Sequence, residues 1–253
     1  MTPDDYLRQI LRREDAIAGN LSPVTLVLLQ VQPAISAWAG SQLVSVTPSG
    51  SFAKGTANRS GTDIDLFVSL AWNTTEDLRE IYESLFAAMQ RQGYAPTRQN
   101  VSINITMNGL SVDLVPGRQQ GLLTSDHSLF RRRANTWTKT NIETHINYVR
   151  RSGLSQEIRV MKLWRQQKRL DFPSFYLELT AIDALSSQRS ASLSANVWAV
   201  FKYLRDRFAG ARVLDPANTS NVISDDLTSM DRLQVCRAAG TALASSNWNE
   251  IVV

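Results

Sequence analysis

The stretch TDIDLFVSL, residues 62 to 70, restricts what this chain can fold into more than any other. It alternates as a strand, and in a strand residues two apart point the same way. Asp63 and Asp65 therefore share a face while Ile64 and Leu66 pack on the other. Two like charges this close repel, and each raises the pKa of the other unless a cation sits between them. Magnesium suits such a place, because it is hard, prefers oxygen and usually takes one or two carboxylates plus substrate phosphates. SVDLVPG offers a third carboxylate, Asp113, on a second strand that could lie alongside the first pair. Three carboxylates on adjacent strands would hold two metal ions for in-line displacement at phosphorus. A lone D-x-D reads more simply as a turn residue and an exposed edge carboxylate. The third aspartate and the turn ahead of the pair argue for the metal site.

That turn is GSFAKGT, residues 50 to 56. Gly50 lets the backbone approach a ligand closely, and Ser51 offers a hydroxyl and an N–H near the start of a short helix. Placed just ahead of the carboxylates, it would hold the phosphate tail of a nucleotide whose α-phosphate the metals activate.

The remaining pattern predicts an α+β chain. Residues 4–18 and 22–38 read as helices separated at Gly19-Asn20, with Ser22 as N-cap and Pro23 at the first helical position. LVSVTPSG is a short β-branched strand, and NTTEDLREIYESLFAAMQRQG a helix with an apolar stripe. VSINITMNGLSVDLVPG reads as a hairpin about Asn108-Gly109. Up to Gly117 the pattern is strands with helices on one side. From Thr138 onward TNIETHINYVRRSG, SQEIRVMKLWRQQKRL, FPSFYLELTAIDALS, residues 192–208 and DDLTSMDRLQVCRAAGTALASS all read as helices. Between the last two, ARVLDPANTSNVIS is a loop-rich connection with a short strand, in which Asp215, Pro216 and Asn221 fix the loop. Residues 118–138 read as a loop carrying the basic run 131–133. The expected division is 1–118, N-terminal helices plus a mixed-sheet catalytic core, and 119–253, a helical domain packed against it across a cleft.

Composition narrows the class. Of 253 residues, 43% are hydrophobic and 20% charged, as in an ordinary globular protein. No apolar run approaches the length of a membrane span, and MTPDDYLRQILRRED has no signal-peptide core, so the expected location is cytoplasmic, with no membrane partner. One cysteine, Cys236, and two histidines argue against a disulfide framework or structural zinc. A net charge of +4 suits a phosphate-rich ligand without demanding a nucleic-acid platform.

GSFAKGT, TDIDLFV and VDLVPG, in this order, resemble the catalytic signature of the polymerase-β-like nucleotidyltransferase superfamily. MKLWRQQKRLDFPSFYLELT resembles the lysine helix and the following serine-aromatic-leucine-glutamate helix of its oligoadenylate-synthase and bacterial cGAS/DncV-like (CD-NTase) branch. VLDPANTSNV is similar to that branch's aspartate-proline-asparagine segment, and Trp137 ahead of a helix containing His145 also fits. The resemblance spans roughly residues 41 to 225.

It implies a nucleotidyltransferase palm with Asp63, Asp65 and Asp113 as ligands of two Mg2+ ions, which Mn2+ may replace, and Asp113 helping to deprotonate the attacking hydroxyl. Gly50 and Ser51 would hold the β- and γ-phosphates, Lys162 would reach the triphosphate, and Ser174 would hydrogen-bond it. Phe175 falls where the branch stacks an aromatic ring on the donor base, usually a tyrosine, with Tyr176 the neighbouring candidate. From spacing alone one of these two aromatics is core, and the Lys162 helix turns Val160, Leu163 and Trp164 inward with Arg159, Arg165 and Lys168 exposed. The implied activity joins ATP or dATP, or other NTPs, into a small cyclic or linear messenger in bacterial antiphage defence, read by a separately encoded effector. Two alternatives stand beside it. One is a tRNA CCA-adding or other RNA-tailing enzyme, against which the slight basic excess weighs. The other is a catalytically silent nucleotide sensor, which would have no need to retain a repulsive triad.

Overall fold

The computed structural model describes residues 1–17, 19, 22–61 and 63–253. The expected break at Asn20 and Thr62 of the aspartate motif lie outside them, and the first helix ends at Arg13, short of the expected residue 18. In chain order the elements are α1 (Pro3–Arg13), α2 (Pro23–Ala39), β1 (Leu43–Pro48), α3 (Gly50–Lys54), β2 (Ile64–Leu70), α4 (Leu78–Arg91), β3 (Thr97–Arg98), β4 (Ile103–Met107), β5 (Leu110–Gln119), β6 (His127–Arg131), β7 (Thr136–Thr140), α5 (Ile142–Ser152), α6 (Ser155–Gln167), α7 (Ser174–Leu185), α8 (Leu193–Asp206), β8 (Leu214–Asp215), β9 (Asn218–Val222), α9 (Ser229–Ala244) and α10 (Trp248–Ile251). They group into two compact units, one of residues 16–55 and 62–147, the other of residues 1–15, 56–61 and 148–253.

The first unit is built on a mixed sheet of order β1-β2-β5-β4-β3, with β6 on the far end of β5 and β7 beside β6. β2 and β5 run parallel and every other pairing is antiparallel. The alternation seen in sequence explains how it packs. Ile64, Leu66 and Val68 of β2, Ile105 of β4 and Val112 and Leu114 of β5 share one face with Val27, Val31 and Ile35 of α2 and Tyr82, Leu85 and Met89 of α4. Each such side chain contributes roughly 1.5–3 kcal/mol on burial. The expected caps are present: Ser22 accepts from the Thr25 N–H, with Pro23 at the start of α2. Asn108 (φ 52°) and Gly109 (φ 76°) are both left-handed, the pair of values a two-residue hairpin turn requires.

Two expectations are corrected. Pro23–Gln42 is one helix long and apolar enough to cross a membrane by length and composition, although no such run was expected. Its buried stripe, Val24, Val27, Val31, Ile35 and Ala39, is that of a helix lying on a core. The second correction concerns residues 118–138. They are no loop: HSLFR and TWTKT pair as the β6–β7 hairpin, and β5 runs on to Gln119 to pair with His127. Arg131 ends β6, and Arg132 and Arg133 fall in its turn. A boundary at 118/119 would cut β5, and the sheet unit continues to residue 147.

The second unit is helical around an aromatic core. Trp164 of α6, Tyr176 of α7, Phe201 of α8 and the loop residues Phe172 and Phe208 are fully buried. Phe172 meets Tyr176 edge-on at 5.2 Å, and Trp164 meets Phe201 at 5.1 Å. Leu7 and Ile10 bring α1 into the same core. Asp4 of α1 caps α8, accepting from the N–H groups of Leu193 (3.1 Å) and Ser194 (2.8 Å) and from the Ser192 hydroxyl (2.9 Å). Burial pushes the Asp4 pKa up, but the bonds from Ser194, Ser192 and Leu193 outweigh it and hold the group at about 2. Asp215 is buried and accepts from Ala217 N–H (2.8 Å) and Asn221 Nδ2 (3.2 Å), the loop-fixing role expected of it.

Candidate active site

Parallel pairing of β2 with β5 sets Asp65 directly beside Asp113, so the two carboxylates share the sheet face opposite the helices. The β4–β5 hairpin adds Asn104 as the antiparallel partner of Asp113 on its other side. Asn104 Nδ2 donates to Asp113 Oδ1 at 3.0 Å, and Gln99 Nε2 donates to the same oxygen at 3.2 Å. Asp63 is exposed and immediately precedes β2.

Gly50 has φ +56°, and a Cβ there would overlap the Asp65 carboxylate, so this position admits only glycine. The Ser49 N–H donates to the Asp65 carbonyl at 2.8 Å, which ties the turn to the aspartate strand. Ser51, half-buried, is the second residue of α3. The expected neighbours Gly50, Ser51, Asp65 and Asp113 thus fall on connected elements of the sheet unit.

Burial raises the Asp113 pKa above the usual carboxylate range. The charge of Asp63 adds to this, while the bonds from Asn104 and Ser102 act in the opposite direction. Among the described residues no three His, Cys, Asp or Glu side chains are gathered closely enough to hold a metal as they stand. The set nevertheless fits a divalent cation: its donors are hard carboxylate oxygens, and a cation would offset the burial of the Asp113 charge and relieve the repulsion from Asp63 that adds to it. Nucleotidyltransferases generally use divalent metal ions.

One consequence can be measured without any ligand. A carboxyl whose pKa is raised on folding favours the folded state while protonated, and that contribution is lost as pH rises through the raised value. Once ionised, Asp113 therefore opposes folding. Asp113→Asn, which still accepts from Asn104, should raise the melting temperature of metal-free protein at pH 7. The gain should vanish below about pH 4, where aspartate is protonated in both states. Equal melting temperatures at pH 7 would mean that the carboxylate is solvated.

The other expected nucleotide contacts lie in the helical unit and are differently partnered. Lys162 is 7% exposed; its Nζ is 2.6 Å from Glu178 Oε1 and donates to Thr56 Oγ1 at 2.9 Å. Ser174 begins α7, and its Oγ accepts from Arg165 Nη1 at 2.8 Å. Arg165 and Arg159, expected to be exposed, are half-buried, and only Lys168 of the three is exposed. Phe175 is half-buried against the helical core.

Tyr176 is corrected outright as a stacking candidate. It is 0% exposed among Phe172 and Phe208, and its hydroxyl has no hydrogen-bond partner among the described residues. Burial pushes its pKa up to about 12. Tyr176→Phe should therefore leave the KM for nucleotide unchanged and stabilise the fold by up to about 1 kcal/mol, since an unpaired buried hydroxyl is lost. A several-fold rise in KM would restore it to the site.

Residues the sequence reading missed are Asn104 and Gln99 on Asp113, Glu178 on Lys162 and Arg165 on Ser174. The basic turn also proves to be anchored: Arg132 Nε donates to the Gln99 carbonyl at 3.0 Å and its N–H to the Asn100 carbonyl at 2.8 Å.

Comparison with known proteins bears on this geometry. Residues 37–116 match the family described as Nucleotidyltransferase domain, a span that contains Gly50, Ser51, Asp63, Asp65 and Asp113. Over 98% of its length the chain is 25% identical to 81% of the cyclic AMP-AMP-AMP synthase of Escherichia coli (strain MS 115-1). The solved structure of CdnC from E. coli MS115-1 with ATP superposes with a TM-score of 0.76 at 21% identity, covering 96% of this chain and 91% of that one. The CdnE cyclic dinucleotide synthase of Elizabethkingia meningoseptica, solved with GTP and Apcpp, gives 0.73 at 14% identity, covering 97% and 100%. The fold is shared with these proteins, as the motifs implied.

Proposed function

We propose that this chain, whose residues 37–116 match the Nucleotidyltransferase domain family with the three aspartates inside the match, joins nucleoside triphosphates, ATP foremost, into a small cyclic oligonucleotide messenger. The observation that carries the chemistry is the side-by-side register of Asp65 and Asp113, with the Gly50 turn packed against Asp65. The choice of a cyclic product and of ATP leans on the similarity to a cyclic AMP-AMP-AMP synthase. RNA tailing and a silent sensor are not favoured.

In this reading a ribose hydroxyl of one nucleotide attacks the α-phosphorus of another. A new P–O bond forms as the bond to pyrophosphate breaks, and the hydroxyl proton passes to a carboxylate oxygen of Asp113. Asp63, Asp65 and Asp113 would hold two Mg2+ ions, which when bound supply charge neutralisation at the phosphates and acidify the attacking hydroxyl. Asn104 and Gln99 hold the Asp113 carboxylate in place from its Oδ1 side. Gly50 gives the triphosphate room at the backbone, and the hydroxyl and N–H of Ser51 hold its β- and γ-phosphates. Lys162 adds positive potential toward the triphosphate while bonded to Glu178 and Thr56. Ser174 hydrogen-bonds the tail, and Phe175 stacks on the donor base. A role in cytoplasmic antiphage signalling, with a separately encoded effector that reads the product, belongs to the same proposal.

The test is incubation of purified protein with labelled NTPs and dNTPs, singly and mixed, with Mg2+ or Mn2+. Products are separated before and after phosphatase. A phosphatase-resistant product from ATP is expected. A phosphatase-sensitive ladder would replace the cyclic product with a linear one, and activity only on added tRNA would overturn the proposal.

A further inference from the structure

Asp113 takes two amide donors on one oxygen, Asn104 and Gln99, and the two are held by different means. Asn104 sits in β4 directly opposite Asp113, so the sheet ladder fixes it. Gln99 is exposed and lies outside any strand, in the loop 99–102 between β3 and β4. Loop residues are ordinarily the mobile ones, and a glutamine gives up rotamer freedom when it is held. This loop is bonded from two sides. The fully buried Tyr82 of α4 shares its hydroxyl between the Gln99 carbonyl and the Ser102 carbonyl, each at 3.0 Å, which ties the two ends of the loop together. The Gln99 N–H donates to the same Ser102 carbonyl at 3.0 Å. From the β6–β7 turn, Arg132 Nε donates to the Gln99 carbonyl at 3.0 Å, and the Arg132 N–H to the Asn100 carbonyl at 2.8 Å. The Arg133 N–H adds a bond to Asn100 Oδ1 at 3.1 Å. Arg132 thus holds the backbone of the residue whose side chain holds Asp113, and every member of this relay belongs to the sheet unit.

Resting on the nucleotidyl-transfer reading and deepening it, we propose that Arg132 is a positioning residue for the Asp113 carboxylate, acting through Gln99. With Gln99 loose, the carboxylate keeps the ladder-held Asn104 but loses its second amide donor and turns more freely about its Cβ–Cγ bond. Misplacement by about 1 Å in such a support costs up to about 10²-fold in rate. Arg132 touches neither nucleotide nor reacting atoms in this role. Its bond to the Gln99 carbonyl needs a donor at Nε and not a charge. A turn that instead gripped phosphate would need the charge, and that difference can be measured.

The experiment is a double-mutant cycle in the full chain: Gln99→Ala, Arg132→Ala and the two together, with Arg132→Gln and Asp113→Asn beside them. The amide nitrogen of a glutamine stands as many bonds from Cα as Nε does in arginine, so Arg132→Gln keeps the donor and removes the charge. Both positions are exposed, so each variant should fold, which a thermal melt checks. The quantities read are kcat and KM for ATP, and Mn2+ affinity by electron paramagnetic resonance. Gln99→Ala and Arg132→Ala are each expected to lower kcat by about tenfold with KM nearly unchanged, and to weaken Mn2+ binding several-fold. The double variant should fall no further than Gln99→Ala alone, because residues acting in one network are not additive. Arg132→Gln should restore most of both quantities. Losses that multiply in the double variant would overturn the proposal, since Arg132 would then act by a route that bypasses Gln99. A rise in KM that Arg132→Gln does not repair would overturn it too, making the turn a phosphate contact. So would unchanged kcat and Mn2+ affinity in either single variant, which would leave the turn a merely structural anchor. Asp113→Asn separates the two readings. If it loses product and Mn2+ binding while Arg132→Ala keeps both, the relay alone fails; if it keeps both itself, Asp113 leaves the chemistry and the relay goes with it.

Discussion

The Asp63→Asn/Asp65→Asn double variant is expected to make no more product than about a thousandth of the parent protein's yield. Carboxylates that gather cations at a reacting phosphate supply several kcal/mol of transition-state stabilisation, and each 1.36 kcal/mol is a factor of ten. The fold should tolerate the change. Asparagine keeps the shape that Gly50 packs against at Asp65, and Asp63 is exposed. Circular dichroism and a thermal melt alongside the product assay separate the two effects. Full activity in a folded double variant would remove both residues from the chemistry.

The largest stability effect is expected at Glu178. It is 1% exposed, 2.6 Å from Lys162, and accepts the Thr56 hydroxyl as well. Removing one partner of a buried ion pair leaves the other charge uncompensated and typically costs about 3–5 kcal/mol. Glu178→Ala should therefore lose that amount in urea unfolding, with the slope of the transition unchanged. Lys162→Met/Glu178→Leu should recover most of it, because two apolar side chains of similar volume avoid desolvating either charge. The recovery would stop short by about 1–3 kcal/mol, since the buried Thr56 hydroxyl is left without these two partners. A loss below about 1 kcal/mol in the single variant would show that water reaches the pair.

The strands that carry Asp65 and Asp113 were legible because their alternation is strict and their turn chemistry specific. Asn108-Gly109 even sets the hairpin register: a two-residue turn pairs Met107 with Leu110, and counting back pairs Asn104 with Asp113. The burial of Tyr176 was half legible, since Tyr176, Leu179 and Thr180 follow the helical spacing of an inward stripe. β6 and β7 were not legible. TWTKT is polar but for Trp137 and buries only Thr140, and HSLFR sits beside a basic turn, so neither carries the apolar signal of a core strand. Nor were the contacts of residues 56–61, because Glu14 and Ser60, or Thr56 and Glu178, meet only after distant segments have packed. No local spacing encodes such a meeting.

The cap that Asp4 places on α8 also sets an order of events during biosynthesis. Its partner Ser192 is translated 188 residues later, about 10–40 s at ordinary elongation rates. Until Val149 and the residues after it have been made, Leu7, Ile10 and Leu11 of α1, all buried in the finished protein, have nothing of their own core to lie against. Until then the nascent chain presents an amphipathic helix to its surroundings, a handle for chaperones and a hazard where they are scarce.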